Sequence, residues 1–104
     1  MNIQFNTSNN IEGSDRQSDY FSTIINENLN RFESQITRVE VHLSDQDNSK
    51  TGQDDIKCTL EARLEKMNPI AVSNHGSSHE DAIKGAIDKM RKSLDTVIGR
   101  LNNH

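Results

Sequence analysis

Ile56 to Glu65 alternate without interruption. Ile56, Cys58, Leu60, Ala62 and Leu64 point one way, and Lys57, Thr59, Glu61, Arg63 and Glu65 the other. A period of two is the side-chain period of an extended strand, so this stretch predicts a strand with one dry face and one wet face. A sheet covered on both faces would instead show continuous apolar runs. Whatever covers this sheet therefore lies on one side of it. Only 31% of the 104 residues are hydrophobic, Trp is absent and aromatics are 4%. Such a chain can fill one modest core of Ile, Leu, Val, Met and Phe, and its length predicts one domain over 1–104.

Three further segments share the alternation. Ile3 and Phe5 oppose Asn2, Gln4 and Asn6, predicting a strand over residues 2–7. Val39, Val41 and Leu43 oppose Arg38, Glu40, His42 and Ser44, and Ile70 and Val72 make a short last strand before His75-Gly76. Between the first two strands, Phe21, Ile24, Ile25, Leu29 and Phe32 recur at helical spacing, with Tyr20 at the margin. Ser14 and Gln17 are placed to cap that helix, Glu27 and Arg31 to pair along it, and it should end near Ser34. Asp45 to Asp55 contains no hydrophobic residue and reads as a long hairpin loop.

The closing stretch, Ser77 to Leu101, carries apolar residues at Ile83, Ile87, Met90, Leu94, Val97, Ile98 and Leu101. Steps of three and four set these on one stripe of an amphipathic helix, with Ser77 as cap and Glu80 reaching back to it. At about 100° of rotation per residue, Lys89, Lys92 and Arg100 share a sector with Gly85, Ser93 and Thr96 and with no acid. Lys84 has Glu80 four residues before it, and Arg91 is flanked at helical spacing by Asp88 and Asp95. The last two cations are thus expected to be neutralised locally. The order of elements is strand, helix, three strands, helix. An α+β fold, β-α-β-β-β-α, is expected, a four-stranded sheet with both helices packed on one face. Its first two strands are parallel if adjacent, and the rest are antiparallel hairpins.

Charge narrows the partners. Twelve basic against sixteen acidic residues give −4, which speaks against a whole-molecule attraction to nucleic acid. Residues 78–104 nevertheless balance at +1, five basic to four acidic, and residues 1–77 at −5, seven to twelve. Contact with phosphates would then be local. The single cysteine excludes an intramolecular disulfide, no signal peptide is expected at the start, and no segment has the length of a membrane span. A cytoplasmic protein is the natural expectation.

Two stretches carry a resemblance to a known family. They are Ile36-Thr37-Arg38-Val39-Glu40-Val41-His42-Leu43 and Ala82-Ile83-Lys84-Gly85-Ala86-Ile87-Asp88-Lys89-Met90-Arg91-Lys92-Ser93-Leu94. With the order of elements, they resemble the ribosome hibernation factors, also called the ribosome-associated inhibitor or sigma-54 modulation family, in its short form. The resemblance implies the same β-α-β-β-β-α fold and a non-catalytic translation inhibitor active under stress. It implies binding to the small ribosomal subunit, in the channel of messenger and transfer RNA, with helix cations meeting ribosomal RNA phosphates. Lys89, Lys92 and Arg100 match basic positions of the family's closing helix, with Lys84 and Arg91 secondary. The chain departs from similar members in having Thr96 and Ile98 where more Lys and Arg are usual, and few cations in the first helix.

Other chemistries find little here. Asp45, Asp47, Ser49 and Thr51 are spaced like the first ligands of a calcium loop, but Lys50 occupies the turn glycine's place and Ile56 that of the bidentate Glu. Cys58 lies on the inward side of its strand, and His75 and His79 straddle the helix cap. No nucleophile–base set, paired catalytic carboxylates or phosphate loop appears, so no enzyme, cofactor or small-molecule substrate is expected. Two rival readings are a protein-interaction module using the acidic surface without the ribosome, and a double-stranded RNA binder. The second lacks a basic helix N-terminus, since Glu80 and Asp81 open the last helix. The bare sheet face leaves a homodimer open.

Overall fold

The computed structural model describes residues 1–7, 15–45 and 55–102. The elements are β1 (Asn2–Thr7), α1 (Asp15–Leu29), a 3-10 turn (Asn30–Phe32), β2 (Ile36–Asp45), β3 (Ile56–Leu64), β4 (Ile70–Gly76) and α2 (His79–Asn102). The sheet order is β1-β2-β3-β4, with β1 parallel to β2 and the other two pairs antiparallel. This is the expected α+β arrangement. The cap expected at Ser14, and the loop of Asp45 to Asp55 apart from its ends, lie outside the described residues.

β3 sits as its alternation requires. Ile56, Cys58, Leu60, Ala62 and Leu64 are all buried. Register brings Leu60 opposite Val41 and Val72, while Phe5 lies beside Val41 on the parallel edge. Phe21, Ile25 and Leu29 of α1 and Ile83, Met90 and Leu94 of α2 join the same buried cluster, so both helices cover one face.

The opposite face is wet. Register opposes Arg38 to Arg63 and Glu40 to Glu61 there, like against like. Diagonal contacts relieve this: Glu40 accepts from Arg38 and Arg63, each at 3.1 Å, and Arg63 also reaches Glu61 at 3.0 Å. The two guanidinium groups, that of Arg63 foremost, hold the Glu40 carboxyl below its usual range.

Three boundaries differ from the sequence expectation. β2 begins at Ile36, because a bulge sets Ile36 and Arg38 against consecutive residues Leu64 and Arg63 of β3. The extra residue reverses the parity and lets Ile36 and Val39 both point inward. α1 ends at Leu29 and tightens into the 3-10 turn that buries Phe32. β4 runs through His75 to Gly76. Consequently the cap of α2 falls at Ser78 in place of Ser77: Ser78 Oγ accepts from the Asp81 amide at 3.1 Å. Ser77 instead donates to the Asp81 carboxylate at 3.2 Å.

Two glycines let α2 lie close against β4. A Cβ at Gly76 would stand 2.6 Å from the Ala82 amide nitrogen, and one at Gly85 2.5 Å from Asn74 Cγ. In the space left by Gly85, Asn74 Nδ2 donates towards the carbonyls of Ala82 and Asp81, at 3.3 and 3.4 Å.

Candidate nucleic-acid interface

α2 presents two polar flanks beside its buried stripe. One looks over β4, an edge strand of the sheet, and carries Lys89 and Lys92, with Arg100 following in the same sector by helical rotation. The other looks towards α1 and carries Lys84 and Arg91. The separation expected from helical rotation is therefore present in space, but the partners differ from those expected.

On the β4 flank, Lys89 Nζ donates to the Ser73 carbonyl at 2.7 Å, laying its stem across the edge strand. Lys92 meets Asp88 one turn back at 3.4 Å, although the rotation had set it apart from acids. Both side chains of that pair are well exposed, 79% and 61%, so the contact is weak and exchangeable. Arg100 is exposed in the last turn. A shallow groove between this flank and β4 is lined by Ile70, Lys92, Ser93, Thr96 and Val97.

On the α1 flank, Lys84 pairs with Glu80 at 3.5 Å, as its spacing foretold. Arg91 does not follow the expectation. Asp88 is engaged by Lys92, and Asp95 by Arg31 from the end of α1. That cross-helix pair replaces the one expected between Glu27 and Arg31, because the 3-10 turn takes Arg31 off the α1 helical lattice. Arg31 also stacks its guanidinium over Phe32, 4.6 Å from the ring centroid. Arg91 is exposed and has no hydrogen-bond or ion-pair partner among the described residues.

Sequence reasoning missed the junction of the two helix N-termini. Tyr20 donates its hydroxyl to Glu80 Oε1 at 2.6 Å, and Gln17 Nε2 donates to His79 Nδ1 at 2.8 Å. The Tyr20 hydrogen bond, with the Lys84 charge behind it, holds the Glu80 carboxyl below its usual range. The same bond pushes the Tyr20 hydroxyl up. The only sequence signal was the run Tyr20, Ile24, Asn28, spaced by four at the edge of the apolar stripe.

No group of His, Cys, Asp or Glu fit to hold a metal occurs among the described residues. Cys58 is fully buried, and burial pushes its thiol up to about 12, which removes it as a nucleophile. No described helix is long and apolar enough to cross a membrane.

Comparison with known proteins agrees with this architecture. No curated protein matches the chain. Among solved structures, the N-terminal domain of Protein Y from Thermus thermophilus superposes with a TM-score of 0.74 at 18% identity, covering 93% of this chain and 99% of that one. A ribosomal subunit interface protein from Coxiella burnetii superposes with a TM-score of 0.72 at 13% identity, covering 95% and 99%. At such identities these likenesses speak for the fold alone. The family profile described as Sigma 54 modulation protein / S30EA ribosomal protein matches residues 4–102, nearly the whole chain. The chain belongs to this family of non-catalytic, ribosome-associated hibernation factors.

Proposed function

We propose that this protein seats itself on the small ribosomal subunit in the cytoplasm and silences translation under stress, with α2 turned towards ribosomal RNA. Lys89, Lys92 and Arg100 are the main phosphate-facing cations, and Lys84 and Arg91 are secondary. The observation that carries this reading is the β4 flank of α2 in a chain of this family. Its cations are exposed, on one rigid helix, and engaged only by contacts that a phosphate can displace. Lys92 holds one surface carboxylate and Lys89 one edge carbonyl. Exposed ion pairs contribute about 0–1 kcal/mol, so their exchange for a phosphate costs little. The net charge of −4 makes the contact a local match, without long-range attraction.

The test is co-sedimentation with purified ribosomes at low and high salt. Lys89→Glu with Lys92→Glu should leave the fold intact, weaken pelleting and flatten its salt dependence by about one log–log unit per lost contact, by analogy with duplex DNA. Lys57→Glu is the charge control on the open sheet face. Glu61 and Arg63 are unsuitable because they are tied to Glu40 and to each other. A double variant that pellets like the parent at low salt excludes this flank. It would favour the protein-interaction reading, which the acidic balance of residues 1–77 supports.

A further inference from the structure

The flank of α2 that faces α1 carries a second surface with different chemistry. The two helices run parallel, joined at one end by Tyr20–Glu80 and at the other by Arg31–Asp95. Between these ties lies an open groove of about 200 Å³, lined by Ile24, Asn28, Lys84, Ile87, Asp88 and Arg91. Ile24 and Ile87 make an aliphatic floor. Asn28 gives its Nδ2 to the Ile24 carbonyl at 2.8 Å and keeps Oδ1 as an acceptor. Arg91, free of partners among the described residues, stands on the α2 rim.

Tyr20 stands at the head of this groove. It is the one large hydrophobic residue exposed among the described residues, at 52%. Its hydroxyl is fastened to Glu80, and its ring leans on Phe21 at a centroid distance of 5.4 Å. An exposed ring held in place loses little freedom when another flat group stacks on it. The cation nearest that end, Lys84, binds the same Glu80 carboxylate. Asp88, the acid in the groove lining, already has an ammonium in contact, as has Glu80 beside Tyr20.

We propose that this groove receives an unpaired strand of RNA, with one base stacked on Tyr20 and the backbone following Lys84 and Arg91. A flat ring, an apolar floor and spaced cations are the elements by which proteins hold single strands. A base within an A-form duplex is stacked and cannot reach the ring, so the strand must be unpaired. Lys84 and Arg91 lie seven residues apart on one helix, about 10 Å, and therefore meet different phosphates. The inference rests on the reading of this chain as an RNA-contacting ribosome factor, and adds to it a separate flank with a stated kind of RNA.

The chain has one tyrosine and no tryptophan, so its ultraviolet emission reports the Tyr20 ring alone. Titration with a single-stranded RNA of about ten nucleotides at low salt should quench that emission as the complex forms. The two Tyr20 variants are followed by filter binding, since neither keeps a tyrosine. Tyr20→Phe, which retains the ring and loses its tie to Glu80, should bind within about two-fold of the parent, and Tyr20→Ala about ten-fold more weakly with an unchanged salt slope. Arg91→Gln should instead lower the salt slope by about 0.7. Binding without quenching, no binding at low salt, or equal losses in Tyr20→Phe and Tyr20→Ala would each overturn the proposal. Ribosome pelleting separates it from the β4-flank assignment. If Lys89→Glu/Lys92→Glu abolishes pelleting and Tyr20→Ala and Arg91→Gln do not, the groove is not an RNA site on the ribosome. If Tyr20→Ala abolishes pelleting but the oligonucleotide leaves the ring unquenched, the ring meets a ribosomal protein, and the proposal again falls. Should the parent fail to pellet at all, ribosome binding is lost as a reading, and quenching by the oligonucleotide alone decides the groove.

Discussion

The two helices cover the same sheet face but are fastened to the molecule by different kinds of contact. α2 buries Ala82, Ile83, Ala86, Ile87, Met90, Leu94 and Ile98 over its length, while α1 buries Phe21, Ile25 and Leu29. The polar ties differ more. Neutral Asn74 locks α2 to β4 by donating to backbone carbonyls in the space that Gly85 leaves. α1 is tied to α2 at the rim, through Tyr20–Glu80, Gln17–His79 and Arg31–Asp95. The first set is insensitive to pH and salt, whereas the second contains groups that titrate or are screened. α2 is thus a fixed platform, and α1 is a wall whose seating depends on conditions.

The largest effect that tests this difference should come from the core of the platform. Leu94 is fully buried beneath α2. Leu94→Ala should cost about 3 kcal/mol in chemical denaturation. Amide exchange should accelerate in β3 and β4 as well as in α2. Acceleration confined to the last turns of α2 would mean that the helix is not the fixed element.

Next in size is the lock itself. In isolation, Gly85→Ala should favour a helix by about 1 kcal/mol. Here the new methyl would displace Asn74 and the bonds it makes, an overpacking cost of about 1–3 kcal/mol. The net expectation is a loss of about 1 kcal/mol. With Asn74→Ala already present the obstacle is gone, and the same substitution should stabilise. A thermal-unfolding double-mutant cycle reads this change of sign. An effect of Gly85→Ala independent of residue 74 would break the lock.

The parts of this molecule that could be read from sequence are those fixed by period. The alternation in β3, the stripe of α2 and the sorting of its cations into two flanks all survive in three dimensions, because burial on one side is a global constraint that each residue repeats. Contacts decided by single atoms between elements were not legible. The bulge at Ile36–Arg38 breaks the alternation that would have revealed it. The Ser78 cap lies one residue from the expected one, a shift set by how far β4 continues. Arg91 was expected to be neutralised by Asp88 and Asp95. Only the arrival of Arg31 from α1 and the reach of Lys92 show where those carboxylates go. Tyr20 looked like a margin residue until the parallel packing of α1 and α2 brought Glu80 beneath its hydroxyl.

A smaller effect is expected at the far rim. Arg31 and Asp95 are 58% and 53% exposed. Arg31→Gln should cost about 0.5 kcal/mol at low salt and less at high salt. Part of the loss belongs to the guanidinium over Phe32, which salt screens less. A salt-independent loss would assign the whole effect to that stacking.

The smallest effect should appear only locally and as a function of pH. The Glu80 carboxyl is held below its ordinary range by the Tyr20 hydroxyl and Lys84, so this group's contribution is full above its unfolded pKa and is lost as pH falls through the folded one. The Tyr20 hydroxyl is pushed up by the same bond. Its contribution is full below its unfolded pKa and is lost as pH rises through the folded one. The tie between the helix N-termini should therefore be intact between these limits and weaken at both, while the Asn74 lock, having no titrating member, does not change. Both side chains are at the surface, so global stability should barely register it. Amide exchange in the first turns of α1, corrected for intrinsic rates, should accelerate relative to α2 at the acidic and alkaline ends. Tyr20→Phe should remove the pH dependence at both ends together, since one hydrogen bond joins the two groups. If Tyr20→Phe abolishes only the alkaline arm, the acid sensitivity comes from another group, and His79, whose ring nitrogen accepts from Gln17 at the same junction, is the first to replace.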